Sequence, residues 1–106
     1  MISTHILDTS IGNPAAGVKV TLEILDGDWK EIASGVTNDD GRFAFENEVK
    51  IGKYRINFHT EEYFEKTKTE YFFLETPVAF HITNINRKYH VPLLVNPFGY
   101  STYRGS

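Results

Sequence analysis

Four histidines, His5, His59, His81 and His90, are the side chains best suited to move protons near neutral pH. They lack the close-paired spacing of metal ligands, so no metal site is expected. His59 and His81 alternate with the apolar residues of their segments, which puts them on an outward face where an imidazole is simply tolerated. His5 and His90 stand in a different context. On its strand His5 shares a face with Ser3 and Leu7, with Ile6 pointing the other way. His90 shares a face with Pro92 and Leu94, opposite Tyr89, Val91 and Leu93, which have the bulk to fill a core. Arg42 likewise lies opposite Phe43 and Phe45. All three side chains therefore fall outside the core, and by alternation alone they read most plainly as solvated polar residues.

Several other chemistries are excluded. The acidic residues lie in turns or on the polar sides of strands, with no sign that two converge as a glycosidase pair. Gly41 is followed by Arg42 rather than by the glycine spacing of a phosphate loop, and no strand, glycine-rich loop and helix unit exists to hold one. The absence of cysteine removes a disulfide scaffold, a thiolate nucleophile and any Cys-based zinc site. A net charge of −3, from 11 basic and 14 acidic residues, leaves no electrostatic footprint for nucleic acid or an anionic membrane. No stretch reaches the apolar length of a membrane span, and residues 1–5 lack the regions of a secretory signal. The chain reads as cytoplasmic.

The elements that must position these side chains are strands. In residues 18–24 the aliphatic side chains Val18, Val20, Leu22 and Ile24 fall on alternate positions, the pattern of a half-buried strand. The same pattern marks 41–46, 53–59 and 78–84, while 3–8, 29–37, 89–95 and 99–104 complete eight expected strands. Turn residues separate them at Gly12-Asn13-Pro14, at Asp26-Gly27-Asp28 and from Asn38 to Gly41. Pro92 cannot donate to a ladder, so an edge or a bulge is expected within its strand. Residues 60–66 open with Thr60 as N-cap and the acids Glu61 and Glu62, which predicts one short helix, and the mixed charges of 61–68 read as a solvated surface. With 8 Phe, 6 Tyr and 41% hydrophobic residues, 106 residues make one domain, 1–106, that buries roughly two-thirds of its surface. The expected architecture is all-β: a sandwich of two four-stranded antiparallel sheets with one short helix.

The C-terminus adds a signal of its own. Tyr100-Ser101-Thr102-Tyr103 alternates aromatic and hydroxyl residues directly into Arg104-Gly105-Ser106, which points to an ordered end rather than a frayed one. Three segments together carry a specific resemblance. They are Ser3-Thr4-His5-Ile6-Leu7-Asp8 with Gly12-Asn13-Pro14-Ala15; Thr37-Asn38-Asp39-Asp40-Gly41-Arg42; and Tyr89-His90-Val91-Pro92-Leu93-Leu94 through Pro97 to Gly99-Tyr100-Ser101-Thr102-Tyr103-Arg104-Gly105-Ser106. Over essentially its whole length the chain resembles the hydroxyisourate hydrolases, the transthyretin-related enzymes of urate breakdown.

The resemblance implies a transthyretin-like (prealbumin-like) sandwich that hydrolyses 5-hydroxyisourate to 2-oxo-4-hydroxy-4-carboxy-5-ureidoimidazoline without metal or cofactor. It implies His5, Arg42, His90 and Ser106 as the catalytic set, with Tyr103 joining His5 and Arg42 in contact with substrate. It further implies a homotetramer whose facing subunits complete each site. The hormone carrier transthyretin is similar in fold but lacks the His, Arg and His positions and the terminal Tyr-Arg-Gly-Ser. The middle motif alone recurs in prealbumin-like modules that only bind or space other domains, so a non-catalytic small-ligand-binding or carrier module is the competing expectation.

Overall fold

In the computed structural model, which describes residues 1–106, two sheets pack face to face. The elements follow as β1 (Ile2–Asp8), β2 (Asn13–Pro14), β3 (Lys19–Asp26), β4 (Asp28–Val36), β5 (Arg42–Phe45) and β6 (Gly52–Phe58). Then come α1 (Thr60–Lys66), β7 (Thr76–Ile82), β8 (Tyr89–Asn96) and β9 (Gly99–Thr102). One sheet runs β4-β3-β6-β7, antiparallel throughout. The other runs β2-β1-β8-β9, with β5 also paired to β1. No helix is long and apolar enough to cross a membrane.

Alternation builds the core as expected. Ile2 and Ile6 of β1, Val20 and Leu22 of β3, Tyr54, Ile56 and Phe58 of β6, and Val91, Leu93 and Val95 of β8 face inward and are buried. Each such side chain contributes about 1.5–3 kcal/mol when fully buried. Two features depart from the expected pair of four-stranded antiparallel sheets. β1 and β8 run parallel, from Ile2 beside Tyr89 to Asp8 beside Val95. Alternation shows which face a residue occupies but not the direction of the neighbouring strand, and a parallel pair needs only a long connection, here most of the chain. The second departure is β2, a two-residue strand on β1 that places Pro14 opposite Leu7 within what reads as a turn.

Pro92 also behaves otherwise than as an edge or a bulge of its own strand. β8 is a central strand, and the interruption falls on its neighbour: β9 pairs from Asn96 to Leu93, leaves the ladder opposite Pro92, and returns as a single bridge from Gly105 to His90 in the same register. The Pro92 carbonyl accepts from the Thr102 hydroxyl at 2.7 Å.

The helix forms where the acids Glu61 and Glu62 predict it, but its N-cap is His59 rather than Thr60. Thr60 lies inside the first turn, buried, with its hydroxyl 3.2 Å from that of Thr76 on β7. Nor is the segment wholly a solvated surface, because Tyr63 and Phe64 are buried in the core. The Tyr63 hydroxyl donates to Asp8 Oδ2 at 2.8 Å, tying the helix to the end of β1. Asp8 is itself buried, and its other oxygen accepts from the Ser10 backbone N–H at 3.0 Å. Burial, and then the bond to Asp8, raises the Tyr63 phenol above its ordinary value, so it stays a proton donor across the physiological range.

Tyr63→Phe leaves the Asp8 carboxylate with one donor fewer in a buried site. Chemical denaturation should show a loss of about 1–3 kcal/mol, read as a lowered midpoint at unchanged slope.

Candidate active site

The outer face of the β5-β1-β8 region carries the side chains expected to do chemistry. Cross-strand pairing sets His5 directly opposite Arg42 and Ser3 directly beside His90. Because each strand has period two, these four share the face turned away from the core. The Ser3 hydroxyl lies 2.9 Å from Nδ1 of His90.

Arg42 is delivered by the turn that precedes β5. The Asn38 side-chain oxygen accepts from the backbone N–H groups of both Asp40 and Arg42, at 2.9 and 3.0 Å, and the Asn38 N–H reaches the Arg42 carbonyl at 3.0 Å. Gly41 completes the turn at φ 73° with its carbonyl accepting from the Ile6 N–H at 2.7 Å. A side chain at Gly41 would be strained by that φ and would meet the Ile6 carbonyl oxygen.

The chain end is held against His90. The Gly105 N–H donates to the His90 carbonyl at 2.8 Å. Its α-carbon lies so close to the imidazole that an added Cβ would stand 2.6 Å from Cδ2 of the ring. Ser106 follows, and it lines an open depression of about 610 Å³ together with Ser3, Arg42, His90, Glu46 and Lys88. Tyr103 is exposed and falls on the other side of His90. There it borders a smaller opening of about 270 Å³ between the two sheets, with Phe80, His81 and Arg87. His5 lines neither depression, although its charge acts on His90. His59 lies apart, 3.3 Å from the Thr21 hydroxyl on the other sheet. Arg42, His90 and Ser106 are therefore brought together, His5 adjoins them through the register, and Tyr103 is set apart in the single chain. Ser3 escaped the sequence reading as a site residue. Its place on the face of His5 was legible, but its contact with His90 depends on the parallel register.

Burial first, then the positive charges of Arg42 and His5, lowers the His90 pKa below the ordinary value. The ring is thus neutral near pH 7 and has a free lone pair with which to accept a proton. The partner of its Nδ1 is a hydroxyl rather than a carboxylate, so no acid, histidine and serine relay is assembled around it. No group of three His, Asp or Glu side chains converges as metal ligands. What remains is a neutral imidazole, a guanidinium and hydroxyls beside an open cleft. That combination is chemically suited to a polar, oxygen-rich small molecule and to proton transfer.

A two-sheet sandwich with such a cleft on an outer face defines a class of small-molecule site assembled on a β-sheet surface. Residues 2–105 match the HIUase/Transthyretin family, and the chain belongs to it. A protein of Salmonella dublin named 5-hydroxyisourate hydrolase is 48% identical over 110 residues, spanning 100% of this chain and 81% of that protein. The solved structure of Klebsiella pneumoniae 5-hydroxyisourate hydrolase is 38% identical with a TM-score of 0.88, covering 99% of this chain and 98% of that one. Sea bream transthyretin, solved in complex with thyroxine, is 31% identical with a TM-score of 0.90, covering 98% and 93%.

The His90 environment sets a pH dependence. An imidazole in the unfolded chain titrates near 6.5, and the folded one binds its proton less readily. The contribution of His90 to stability is accordingly lost as the pH falls from about 6.5 to the folded value. In an NMR titration of the ring C–H signals, His90 should titrate below about 6.5. Arg42→Gln should raise its midpoint without restoring the ordinary value, because burial remains the larger cause.

Proposed function

We propose that this chain, as one domain of residues 1–106, is a cytoplasmic hydrolase that opens the ring of 5-hydroxyisourate. The carrying observation is that Arg42, His90 and Ser106 line one cleft, with a neutral imidazole within it, in a chain 48% identical to a protein of that name. Water adds to a ring carbonyl carbon as the imidazole of His90 takes its proton, an effect worth about 10²–10⁴ in rate. Negative charge develops on the carbonyl oxygen, where the fixed charge and planar donor fork of Arg42 stabilise it. The ring C–N bond then breaks and the leaving nitrogen takes a proton from imidazolium, with His5 beside Arg42 to assist. Ser106 positions water or substrate through its hydroxyl, and Tyr103 contacts substrate when a facing subunit closes the cleft. Nothing in this order of bonds calls for a metal or a cofactor.

A cleft this open on a lone chain needs covering. β7 and β9 are unpaired edges of the two sheets and border the same opening, so a second copy can extend both sheets at once. We infer a homotetramer in which a further copy covers the outer face of β5, β1 and β8. The competing reading is a small-ligand carrier, supported by the thyroxine complex of the sea bream relative. A carrier binds a saturable ligand without turnover.

The deciding assay follows ultraviolet decay of 5-hydroxyisourate made in place by oxidation of urate. The protein should accelerate decay at micromolar concentration, and decay unchanged by folded protein would leave the carrier reading. His90→Asn should lower turnover by about 10²-fold or more with little loss of stability, and Arg42→Lys, which keeps the charge but loses the fork, should also impair it.

Leu94 lies half-buried on the outer face. Leu94→Glu would bury a charge in the inferred interface, so sedimentation equilibrium should show a dissociated protein whose circular dichroism still reports the sandwich.

A further inference from the structure

We propose that Ser3 is a positioning residue of this site: its Oγ accepts the Nδ1–H of His90 and holds the imidazole in the tautomer whose Nε2 lone pair meets water. The inference deepens the proposed function and rests on its assignment of proton transfer to His90.

The geometry begins with the parallel register, which sets Ser3 and His90 abreast on adjacent central strands. Their side chains leave the same face, and the hydroxyl oxygen and Nδ1 come to 2.9 Å, within hydrogen-bond range. Neither side chain has another hydrogen-bond partner in the protein. On the opposite edge of the ring, Gly105 packs against Cδ2. Nδ1 and Cδ2 are the two ring atoms flanking Cγ, so both near edges of the imidazole are occupied. The far edge, Cε1 and Nε2, is the one left to the cleft. Ser3 thus fixes how the ring is turned, and with Gly105 it fixes where Nε2 stands.

A hydroxyl can accept or donate, so the contact alone admits either tautomer, and the base role of His90 selects between them. Arg42 and His5 act on the ring with positive charge. That charge keeps the ring neutral, and with Nε2 toward the cleft a working lone pair there requires the proton on Nδ1, which makes Ser3 the acceptor. Lys88 and Glu46 also line the cleft and oppose each other in sign. Arg104 follows Tyr103 in the chain-end segment packed beside His90 and adds further positive charge. A carboxylate at position 3 would orient the ring equally well but would favour the imidazolium, and the base would then be occupied at neutral pH. A neutral orienting group keeps the lone pair available.

The test uses the full-length protein labelled with ¹⁵N, read by long-range ¹H–¹⁵N correlation of the imidazole rings at a pH where His90 is neutral, alongside the decay assay. The wild type should show His90 protonated at Nδ1 with a bare Nε2. Ser3→Ala should shift that population toward Nε2–H and lower kcat by about tenfold while KM stays within about twofold, since only the orientation of the base is lost. Ser3→Thr, which keeps the hydroxyl, should restore both readouts. Ser3→Asp should move the acid limb of the pH–rate profile upward by about one unit or more, because it brings a negative charge to the ring. A wild-type spectrum with the proton on Nε2, or a Ser3→Ala protein with an unchanged tautomer and unchanged kcat, would overturn the proposal. A tautomer that responds to Ser3→Ala in a protein with no hydrolysis at all would support the Ser3–His90 pairing and overturn the hydrolase reading instead.

Discussion

The parallel pairing of β1 with β8 holds core and site in a single register. Seven residue pairs lie side by side, and their inward members, Ile2, Thr4, Ile6 and Asp8 against Tyr89, Val91, Leu93 and Val95, are all buried. The Thr4 hydroxyl adds a bond of 2.7 Å to the Val91 carbonyl within that layer. Their outward members include Ser3, His5 and His90. Side chains alternate with a period of two, so a slip of one residue would turn the apolar set to solvent and the histidines into the core. Several buried aliphatic side chains, each contributing about 1.5–3 kcal/mol, therefore oppose any slip. The placement of the strands is enforced by burial on the other side of the sheet, and hydrogen bonds such as Ser3–His90 and those of Asn38 then orient the side chains of the cleft.

The charge balance on that outer face follows from the same placement. Arg42 reaches it from β5, across from His5, and both act on the half-buried ring of His90. Three groups capable of positive charge in one shallow site repel one another. The repulsion is relieved when the half-buried His90 stays neutral. The face thus presents a fixed positive charge at Arg42 while keeping one unprotonated imidazole beside it. A site built from three permanently charged groups would lack that proton acceptor.

Much of the fold was legible because strands alternate buried and less buried positions, strictly so from Ile2 to Asp8 and from Tyr54 to Phe58. The faces of His5, Arg42 and His90 followed directly. Neighbour relations did not. Nothing in two alternating segments some ninety residues apart states that they pair, or that they run parallel, so the Ser3–His90 contact was hidden even though both faces were known. β2 was hidden for a different reason, since Asn13-Pro14 has turn chemistry and is held as a strand only by β1. Thr60 suits an N-cap by residue type, but burial of its hydroxyl against Thr76 draws it one position into the helix. Tertiary contact overrides local preference in both cases. The family resemblance supplied an expectation that alternation could not, namely that His5, Arg42, His90 and the chain end serve one site.

Pro92 links the sheet to the chain end. A proline in a central strand withholds one ladder donor, and on the β9 side the ladder does lapse opposite it, leaving Tyr103 and Arg104 outside the strand. The Thr102 hydroxyl takes up the Pro92 carbonyl, so the interruption leaves that acceptor satisfied. The register is not lost across the gap, and Gly105 rejoins β8 at His90. Had the ladder continued without interruption, Tyr103 and Arg104 would be strand residues like Gly99–Thr102. The lapse instead frees two residues for the surface and still returns Gly105 to the imidazole edge, where only a residue without a side chain fits. Ser106 then follows from a fixed point rather than from a loose tail. The missing N–H of Pro92 and the missing side chain of Gly105 are therefore complementary: the first releases the chain from the sheet, and the second lets it close again on His90 within reach of the cleft.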